Sequence, residues 1–218
     1  MKQQIQLIDA PSGVLEIDSI LQDGERCASD ALAILCHPNP TQGGTMNNKV
    51  VSTMYRFCRD ANMDVFRFNF RGVGRSSGSV GTGDGELADA LAVLRYALSC
   101  TPARKLWLGG FSFGGYIACR LANLLGSDEV GELDLGEVNL HNLALIAPSI
   151  QRFGGKIPSW QADRTFMIYG DADELVSPAL LADFAKRYQI ASTVIPTGHF
   201  FHAKLVELKD ALQAHTLP

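Results

Sequence analysis

Apolar residues along the chain fall into two kinds of pattern, and the two kinds alternate. Short runs that are almost entirely apolar predict strands buried on both faces, as a parallel sheet requires. Between these runs, apolar residues recur every three or four positions, which is typical of helices with one buried face. The predicted strands are 31–36, 65–70, 106–108, 143–147, 165–169 and 193–195, and the predicted helices are 47–61, 86–99, 116–125, 178–188 and one around 205–212.

The beginning of the chain has a different pattern. Two strand-like stretches, 3–8 and 14–21, flank a Pro11-Ser12-Gly13 turn signal, which predicts an antiparallel hairpin. The alternation of strands and helices after it predicts one α/β domain over residues 1–218, with a mostly parallel sheet and helices on both faces. The acidic, glycine-punctuated stretch 126–139 is expected to be a surface loop with a short strand or turn.

Composition and charge narrow the functional classes. The 218 residues are 46% hydrophobic and 19% charged, which suits a folded core, and the formal net charge is −4. Nucleic-acid binding needs a concentrated basic surface, so we expect none. The longest apolar run is only 31–36 and no signal-peptide core is present, so we expect no membrane contact. The five cysteines form no CxxC pair and are typical of reduced thiols in a cytoplasmic protein.

One motif points to a specific chemistry. The sequence Gly110-Phe111-Ser112-Phe113-Gly114 lies between a predicted strand and a predicted helix and reads G-x-S-x-G. A serine on such a turn has a strained backbone that exposes its hydroxyl, and the flanking glycines avoid Cβ clashes. Outside this context the pattern would indicate only a glycine-rich turn. In this context it predicts that Ser112 is a nucleophile.

A serine nucleophile needs a base and an orienting acid, which in this architecture follow it in the chain, acid first. The loop after strand 165–169 offers three acids, Asp171, Asp173 and Glu174. We favour Asp173 for its G-x-x-D-x-x-V spacing, whereas Asp171 is suited to capping the loop. The loop after strand 193–195 offers His199 as the base, with His202, expected in the first turn of the last helix, as the alternative.

An acyl-transfer site also needs two backbone N–H groups to bind the oxyanion. One normally belongs to the residue after the nucleophile, here Phe113. The other is expected in the loop after strand 31–36, where Asn39 stands between Pro38 and Pro40. Because proline has no N–H, Asn39 is the only donor within these three residues. Taken alone, the loop would be an ordinary Pro/Gly turn.

Two other kinds of site find no support in the sequence. The stretch 71–78 has Ser77 where a dinucleotide fingerprint needs glycine, and it lacks the Gly-Lys-Ser/Thr of a phosphate loop. The histidines His37, His141 and His215 show no paired metal-ligand spacing, and no HExxH is present. We therefore predict no cofactor and no metal.

Five blocks in order, HPNPTQGGTMNNKVV, FRFNFRGVGRSSGS, GGFSFGG, GDADELV and GHFFH, resemble the small, nearly lidless bacterial members of the α/β-hydrolase superfamily. The resemblance extends from Ala31 to His202. It implies an α/β-hydrolase fold and a catalytic triad of Ser112, Asp173 and His199. Only 148–164 stands where larger members insert a cap, so we expect no separate cap domain.

Together these inferences predict a serine hydrolase whose partner is a small acyl ester. The expected apolar walls of its pocket are Met46, Trp160 and Phe200, although each residue type is also common in cores. Two alternatives stay open: a peptidase or amidase that uses the same triad, and a binding protein that keeps the fold without catalysis.

Overall fold

The computed structural model describes residues 2–22, 30–127, 133, 135–153 and 162–217. Within these ranges the strands are β1 (Lys2–Ala10), β2 (Gly13–Leu21), β3 (Ala31–Cys36), β4 (Asp64–Phe68), β5 (Lys105–Phe111), β6 (Asn139–Ile146), β7 (Thr165–Gly170) and β8 (Ala191–Ile195). The α-helices are α1 (Lys49–Asp60), α2 (Asp84–Cys100), α3 (Phe113–Leu125), α4 (Pro178–Arg187) and α5 (Leu205–His215).

The strands form one eight-stranded sheet in the order β1-β2-β4-β3-β5-β6-β7-β8. β1 pairs with β2 and β2 with β4 in antiparallel register, and every later pairing is parallel. Helix α1 packs against α5, and α2 packs against α3, while each of these helices also contacts strands. The predicted fold class, a mostly parallel sheet covered by helices with an antiparallel entry hairpin, is confirmed.

Burial follows the position of each strand in the sheet. Every residue of β3 and of β7 is buried, because helices cover both faces of the parallel part. At the sheet edge, exposed residues alternate with more buried ones along β1, and Ile5 is 59% exposed. The indole of Trp107 on β5 is fully buried and donates a 3.2 Å hydrogen bond to Thr216 Oγ1, which ties the chain after α5 to the core.

The boundary difference that bears on the site concerns β5, which runs to Phe111 instead of ending at Leu108. The apolar pattern ends the predicted strand at Leu108 and so leaves Gly109 and Gly110 to the following turn. In the structure they are strand residues that allow close packing: a Cβ on Gly109 would lie 2.4 Å from the Trp107 ring, and one on Gly110 would lie 2.1 Å from Gly114 O. These glycines therefore serve packing at the strand end rather than a change of chain direction.

The connection between β6 and β7 is short. Its described part contains two single-turn 3₁₀ helices, Ile150–Phe153 and Ala162–Arg164, and residues 154–161 lie outside the described ranges. A connection of this length cannot form a separate cap domain, as expected. In the described part of the 126–139 stretch, β6 begins at Asn139. No helix in the described ranges is long and apolar enough to cross a membrane.

Candidate active site

The predicted functional residues come from different strands but lie at one edge of the sheet. Asn39 follows β3, Ser112 directly follows β5, Asp173 follows β7 and His199 follows β8. Because these strands are parallel, the loops after their carboxyl ends meet at the same edge, where ligands of open α/β sheets bind. Ser149, which follows β6, lies at this edge too.

The backbone at Ser112 has the strained conformation expected of an exposed nucleophile. Its φ is 54° and its ψ is −115°, a left-handed region that residues with a Cβ rarely adopt. The backbones around this turn lie close together. A Cβ on Gly110 would lie 2.1 Å from Gly114 O, and one on Gly114 would lie 2.2 Å from Cys36 O, so both positions need glycine. The Ser112 N–H donates to Ile146 O at 2.9 Å, which fixes the turn against the end of β6.

Asp173 and His199 form a buried hydrogen-bonded pair. His199 Nδ1 lies 2.7 Å from Asp173 Oδ2, and the two residues are 1% and 7% exposed, respectively. Asp173 Oδ1 accepts the N–H groups of Leu175 and Val176 at 2.9 and 2.8 Å. Burial raises the pKa of Asp173, but the hydrogen bonds from His199 and from these two N–H groups outweigh it and hold this pKa below its ordinary value. The ionised Asp173 favours hydrogen on Nδ1, which leaves the lone pair of a neutral imidazole on Nε2.

The two competing acids contact the backbone of the His199 loop instead of its ring. Glu174 Oε2 accepts the His199 N–H at 3.1 Å, and Asp171 Oδ1 accepts the Thr197 N–H at 3.1 Å. Both side chains therefore hold the loop after β8 against the loop after β7. The loop-capping interpretation of Asp171 agrees with this contact.

The alternative base, His202, does not lie in the first turn of α5 as predicted, because that helix begins only at Leu205. His202 occupies an exposed turn, with Nδ1 3.3 Å from Lys49 Nζ. Within the described ranges, no group of three or more His, Cys, Asp or Glu side chains is arranged to hold a metal ion.

Aromatic side chains limit the movement of the His199 ring. The centre of the Phe111 ring lies 5.0 Å from the centre of the imidazole, and the Phe200 ring meets the imidazole edge-on with the two ring centres 5.2 Å apart. Phe111 is fully buried on β5, while Phe200 is 39% exposed at the mouth of the site. The imidazole is thus fixed by Asp173 at one nitrogen and by two rings at its sides.

The Ser112 hydroxyl has a partner that the sequence analysis missed. Its Oγ lies 3.3 Å from Ser149 Oγ, and among the described residues it makes no hydrogen bond to His199. The Ser149 N–H also donates to Ser112 O at 3.0 Å. The available signal was the position of Ser149 just after a parallel strand. Hydrogen bonds between catalytic groups often tighten only when a substrate binds, so this arrangement suits a resting state.

The two predicted oxyanion donors are unengaged. In the described part of the chain, neither the Asn39 N–H nor the Phe113 N–H donates to a backbone or side-chain acceptor. Phe113 is the first residue of α3, where N–H groups have no partner within the helix and the helix dipole favours negative charge. The Asn39 side chain is occupied, since its Oδ1 accepts the N–H and the hydroxyl of Thr41 at 3.1 and 3.0 Å.

His37 holds the Asn39 loop in place, a role the sequence analysis did not assign. Its buried ring accepts the Phe70 N–H at Nε2 (3.0 Å), while Nδ1 lies 2.7 Å from Pro38 O and donates to it. Burial lowers the pKa of His37 to about 4, so the ring is neutral near pH 7. Gly44 closes the same loop, because a Cβ there would lie 2.1 Å from Pro38 O.

Two cavities meet at Ser112. The larger, of about 380 Å³, is lined by Asn39, Gln42, Ser112, Ser149, Gln151, Arg152, Leu175 and Val176. The smaller, of about 60 Å³, includes His199 and Phe200 in its lining. Phe200 thus forms part of the wall of the smaller cavity, as predicted for a pocket residue. Met46 lines neither cavity: it is only 4% exposed, and hydrogen bonds from its N–H to Asn69 and from Arg67 to its carbonyl oxygen hold it below the surface. Trp160 lies outside the described residues.

The chain is similar to known proteins in both sequence and structure. A model of the alpha/beta hydrolase fold family matches residues 34–133. An uncharacterised protein of Rickettsia prowazekii is 32% identical over 197 residues, which cover 85% of this chain and 78% of that protein. An α/β serine hydrolase without a lid from Xanthomonas campestris is 36% identical with a TM-score of 0.82, over 99% of this chain and 94% of the other. An α/β serine hydrolase homologue from Coxiella burnetii is 31% identical with a TM-score of 0.83, over 100% and 99%.

The distinct contacts of the acids predict distinct effects of neutral substitutions. Asp173→Asn removes the charge beside His199 and should lower kcat for an activated ester such as 4-nitrophenyl acetate by about 10⁴-fold. Asp171→Asn and Glu174→Gln keep an oxygen that accepts the same backbone N–H, so each should cost less than about tenfold. Steady-state kinetics measures all three, with circular dichroism as the check on folding. A severe loss in Asp171→Asn with a mild one in Asp173→Asn would assign the acid role to Asp171.

The unengaged N–H of Asn39 predicts a difference between two substitutions that both remove its side chain. Asn39→Ala keeps the N–H, whereas Asn39→Pro removes it. The native φ of −52° and ψ of 117° are compatible with proline followed by Pro40. The proline variant should therefore have a kcat lower than that of the alanine variant by about 10²–10³-fold. Equal losses in the two variants would assign the effect to the side chain.

Burial of neutral His37 predicts a pH dependence of stability. Its pKa is about 4 when folded and 6.5 when unfolded, so between these values the unfolded chain takes up a proton that the folded protein does not. Stability should therefore fall with decreasing pH in this window, by about 2 kcal/mol between pH 7.5 and 5.0. Urea unfolding of the parent and of His37→Asn measures this, because the variant should lose about 2 kcal/mol less. Identical pH dependence of the two proteins would mean that His37 is not the group responsible.

Proposed function

Because the chain belongs to the α/β-hydrolase fold family, we propose that it is a serine hydrolase that cleaves small acyl esters. The observation that carries this proposal is the buried Asp173–His199 pair beside a strained Ser112 at a shared cavity edge. Two unengaged N–H groups, on Asn39 and Phe113, add the means to bind an oxyanion.

The first half of the reaction forms an acyl-enzyme. Ser112 Oγ attacks the ester carbonyl carbon while its proton passes to His199 Nε2, and Asp173 stabilises the resulting imidazolium. The N–H groups of Asn39 and Phe113 bind the negative oxygen of the tetrahedral intermediate. When the bond between carbon and the alcohol oxygen breaks, His199 gives its proton to that oxygen and the alcohol leaves.

The second half uses water in place of the serine. His199 removes a proton from a water molecule as its oxygen attacks the acyl carbon, and the same N–H groups bind the second oxyanion. The intermediate then collapses, the bond to Ser112 Oγ breaks, and the serine regains its proton from His199. Before the first step, the Ser112 hydroxyl must leave Ser149 and turn towards His199, since the resting contact is with Ser149.

A reducing, cytoplasmic location is part of the proposal. In the described ranges the four cysteines, Cys36, Cys58, Cys100 and Cys119, are free thiols. Burial raises the pKa of Cys36, Cys58 and Cys119, which keeps these thiols protonated and unreactive. Unpaired cysteines of this kind are common where disulfides do not persist.

Active-site labelling tests the nucleophile. A fluorophosphonate should form one adduct, which mass spectrometry should place on Ser112, and the Ser112→Ala variant should fold normally but take no label and lose ester turnover. Ser149→Ala is the matched control, because it removes a hydroxyl 3.3 Å away from the same oxygen. The control should keep the label, with kcat within about tenfold of the parent.

Two outcomes would contradict the proposal. An adduct on Ser149, or unchanged turnover in Ser112→Ala, would remove Ser112 from the mechanism. Faster cleavage of 4-nitroacetanilide than of 4-nitrophenyl acetate would make the protein an amidase in place of an esterase.

A further inference from the structure

The larger cavity at Ser112 has walls that do not suit a plain alkyl chain. Its side chains are mostly polar and include Gln42, Ser149, Gln151 and Arg152, with Leu175 and Val176 as the aliphatic exceptions. Methylene groups gain free energy only where apolar surface encloses them, and a polar wall that loses water needs a partner. This cavity therefore fits a substrate that carries polar or charged groups of its own.

Arg152 is the one cation among the residues that line this cavity. It forms no ion pair with a carboxylate of any described residue. The adjoining sequence 154–161 contains no Asp or Glu, and Asp171 and Glu174, in the same loop as the lining residues Leu175 and Val176, accept backbone N–H groups. An arginine side chain is ionised at every working pH, and within the described ranges no carboxylate neutralises this charge, so it can attract an anionic ligand.

Contacts on two sides hold Arg152 beside the nucleophile. Its guanidinium carbon lies 5.0 Å from the centre of the Phe113 ring, and Phe113 is buried next to Ser112. Its backbone N–H donates to Ser149 O at 3.1 Å, and Ser149 contacts the Ser112 hydroxyl. A guanidinium attracted to an aromatic ring uses none of its N–H groups as hydrogen-bond donors to that ring, so these donors can bind a carboxylate in a two-pronged geometry.

The lining residues of the two cavities also indicate which cavity binds which end of the substrate. His199, which must protonate the departing alcohol oxygen, lines the smaller cavity but not the larger one. The alcohol part therefore points towards the smaller cavity, and the acyl part occupies the larger one with Arg152.

We propose that Arg152 binds a carboxylate at the far end of the acyl group, so that the preferred substrates are monoesters of dicarboxylic acids. This inference rests on the proposed esterase function. It changes the expected substrate from a neutral acyl ester to an anionic one, and it makes Arg152 a specificity-determining residue.

The experiment compares two esters that differ only at the far end of the acyl chain. In 4-nitrophenyl hemiadipate a carboxylate stands where 4-nitrophenyl hexanoate has a methyl group. Adipate is chosen because the carboxylates of shorter diacids attack their own aryl esters. The measured quantity is the ratio of kcat/KM for the hemiadipate to kcat/KM for the hexanoate, which cancels general effects of a substitution on folding or on Ser112.

The parent protein should favour the hemiadipate, and Arg152→Gln should lower the ratio by about 10- to 100-fold, mostly through KM. Arg152→Lys should recover part of the ratio, because it restores the charge without the planar pair of donors. Added salt should reduce the preference of the parent. The matched control is Arg56→Gln on α1, which removes the same charge from an exposed site and should leave the ratio unchanged.

Three results would overturn the inference: a parent ratio of one or less, a ratio unchanged in Arg152→Gln, or an equal fall of the ratio in Arg56→Gln. Failure of the proposed function would look different, since neither ester would be cleaved and Ser112 would take no fluorophosphonate label.

Discussion

The site depends on a close approach of backbones that only glycine allows. At Gly110 and Gly114, a single added Cβ would collide with the carbonyl groups of Gly114 and Cys36. The end of β5, the start of α3 and the end of β3 can therefore lie against one another, and the strained Ser112 turn stands at their junction. This same contact fixes the distance between the nucleophile and the Asn39 loop, because that loop begins directly after Cys36.

The loops after β7 and β8 are joined by three contacts, each made by a different carboxylate. Asp173 binds the His199 ring, Glu174 binds its N–H, and Asp171 binds the N–H of Thr197. Three carboxylates in four residues would repel one another if they shared one partner. Because each carboxylate accepts a hydrogen bond from a different group, all three help to hold the loop after β8 in place. Ionisation of Asp173 is favoured by the hydrogen bonds from His199 and from the N–H groups of Leu175 and Val176, and the ionised carboxylate in turn favours hydrogen on Nδ1 of the imidazole.

Much of the fold, and the meeting of Ser112, Asp173 and His199 at one edge of the sheet, could be predicted from the sequence, because apolar periodicity and the strand-turn-helix context of Ser112 are local signals. Roles that depend on contacts with residues of other loops could not be predicted from the sequence. Ser149 and His37 act through groups on other loops, and the buried position of Met46 follows from packing that its apolar side chain alone does not reveal. The predicted position of His202 was wrong because its neighbours Phe201 and Ala203 have positive φ angles, which keep this segment out of the helix that begins at Leu205.

The 3₁₀ turn Ile150–Phe153 has a consequence for how proteins of this architecture can change over evolution. The Ser112 turn and the Asn39 loop are held by close backbone contacts at Gly110, Gly114 and Gly44, where a Cβ would collide with a carbonyl group. Gln151 and Arg152, by contrast, are exposed on a connection outside the sheet and still face Ser112. Substitutions of Gln151 and Arg152 can alter which molecules bind in the cavity without disturbing the backbone contacts at Ser112 and Asn39. A change in specificity would therefore require substitutions only in this short connection, and the rest of the edge could stay as it is.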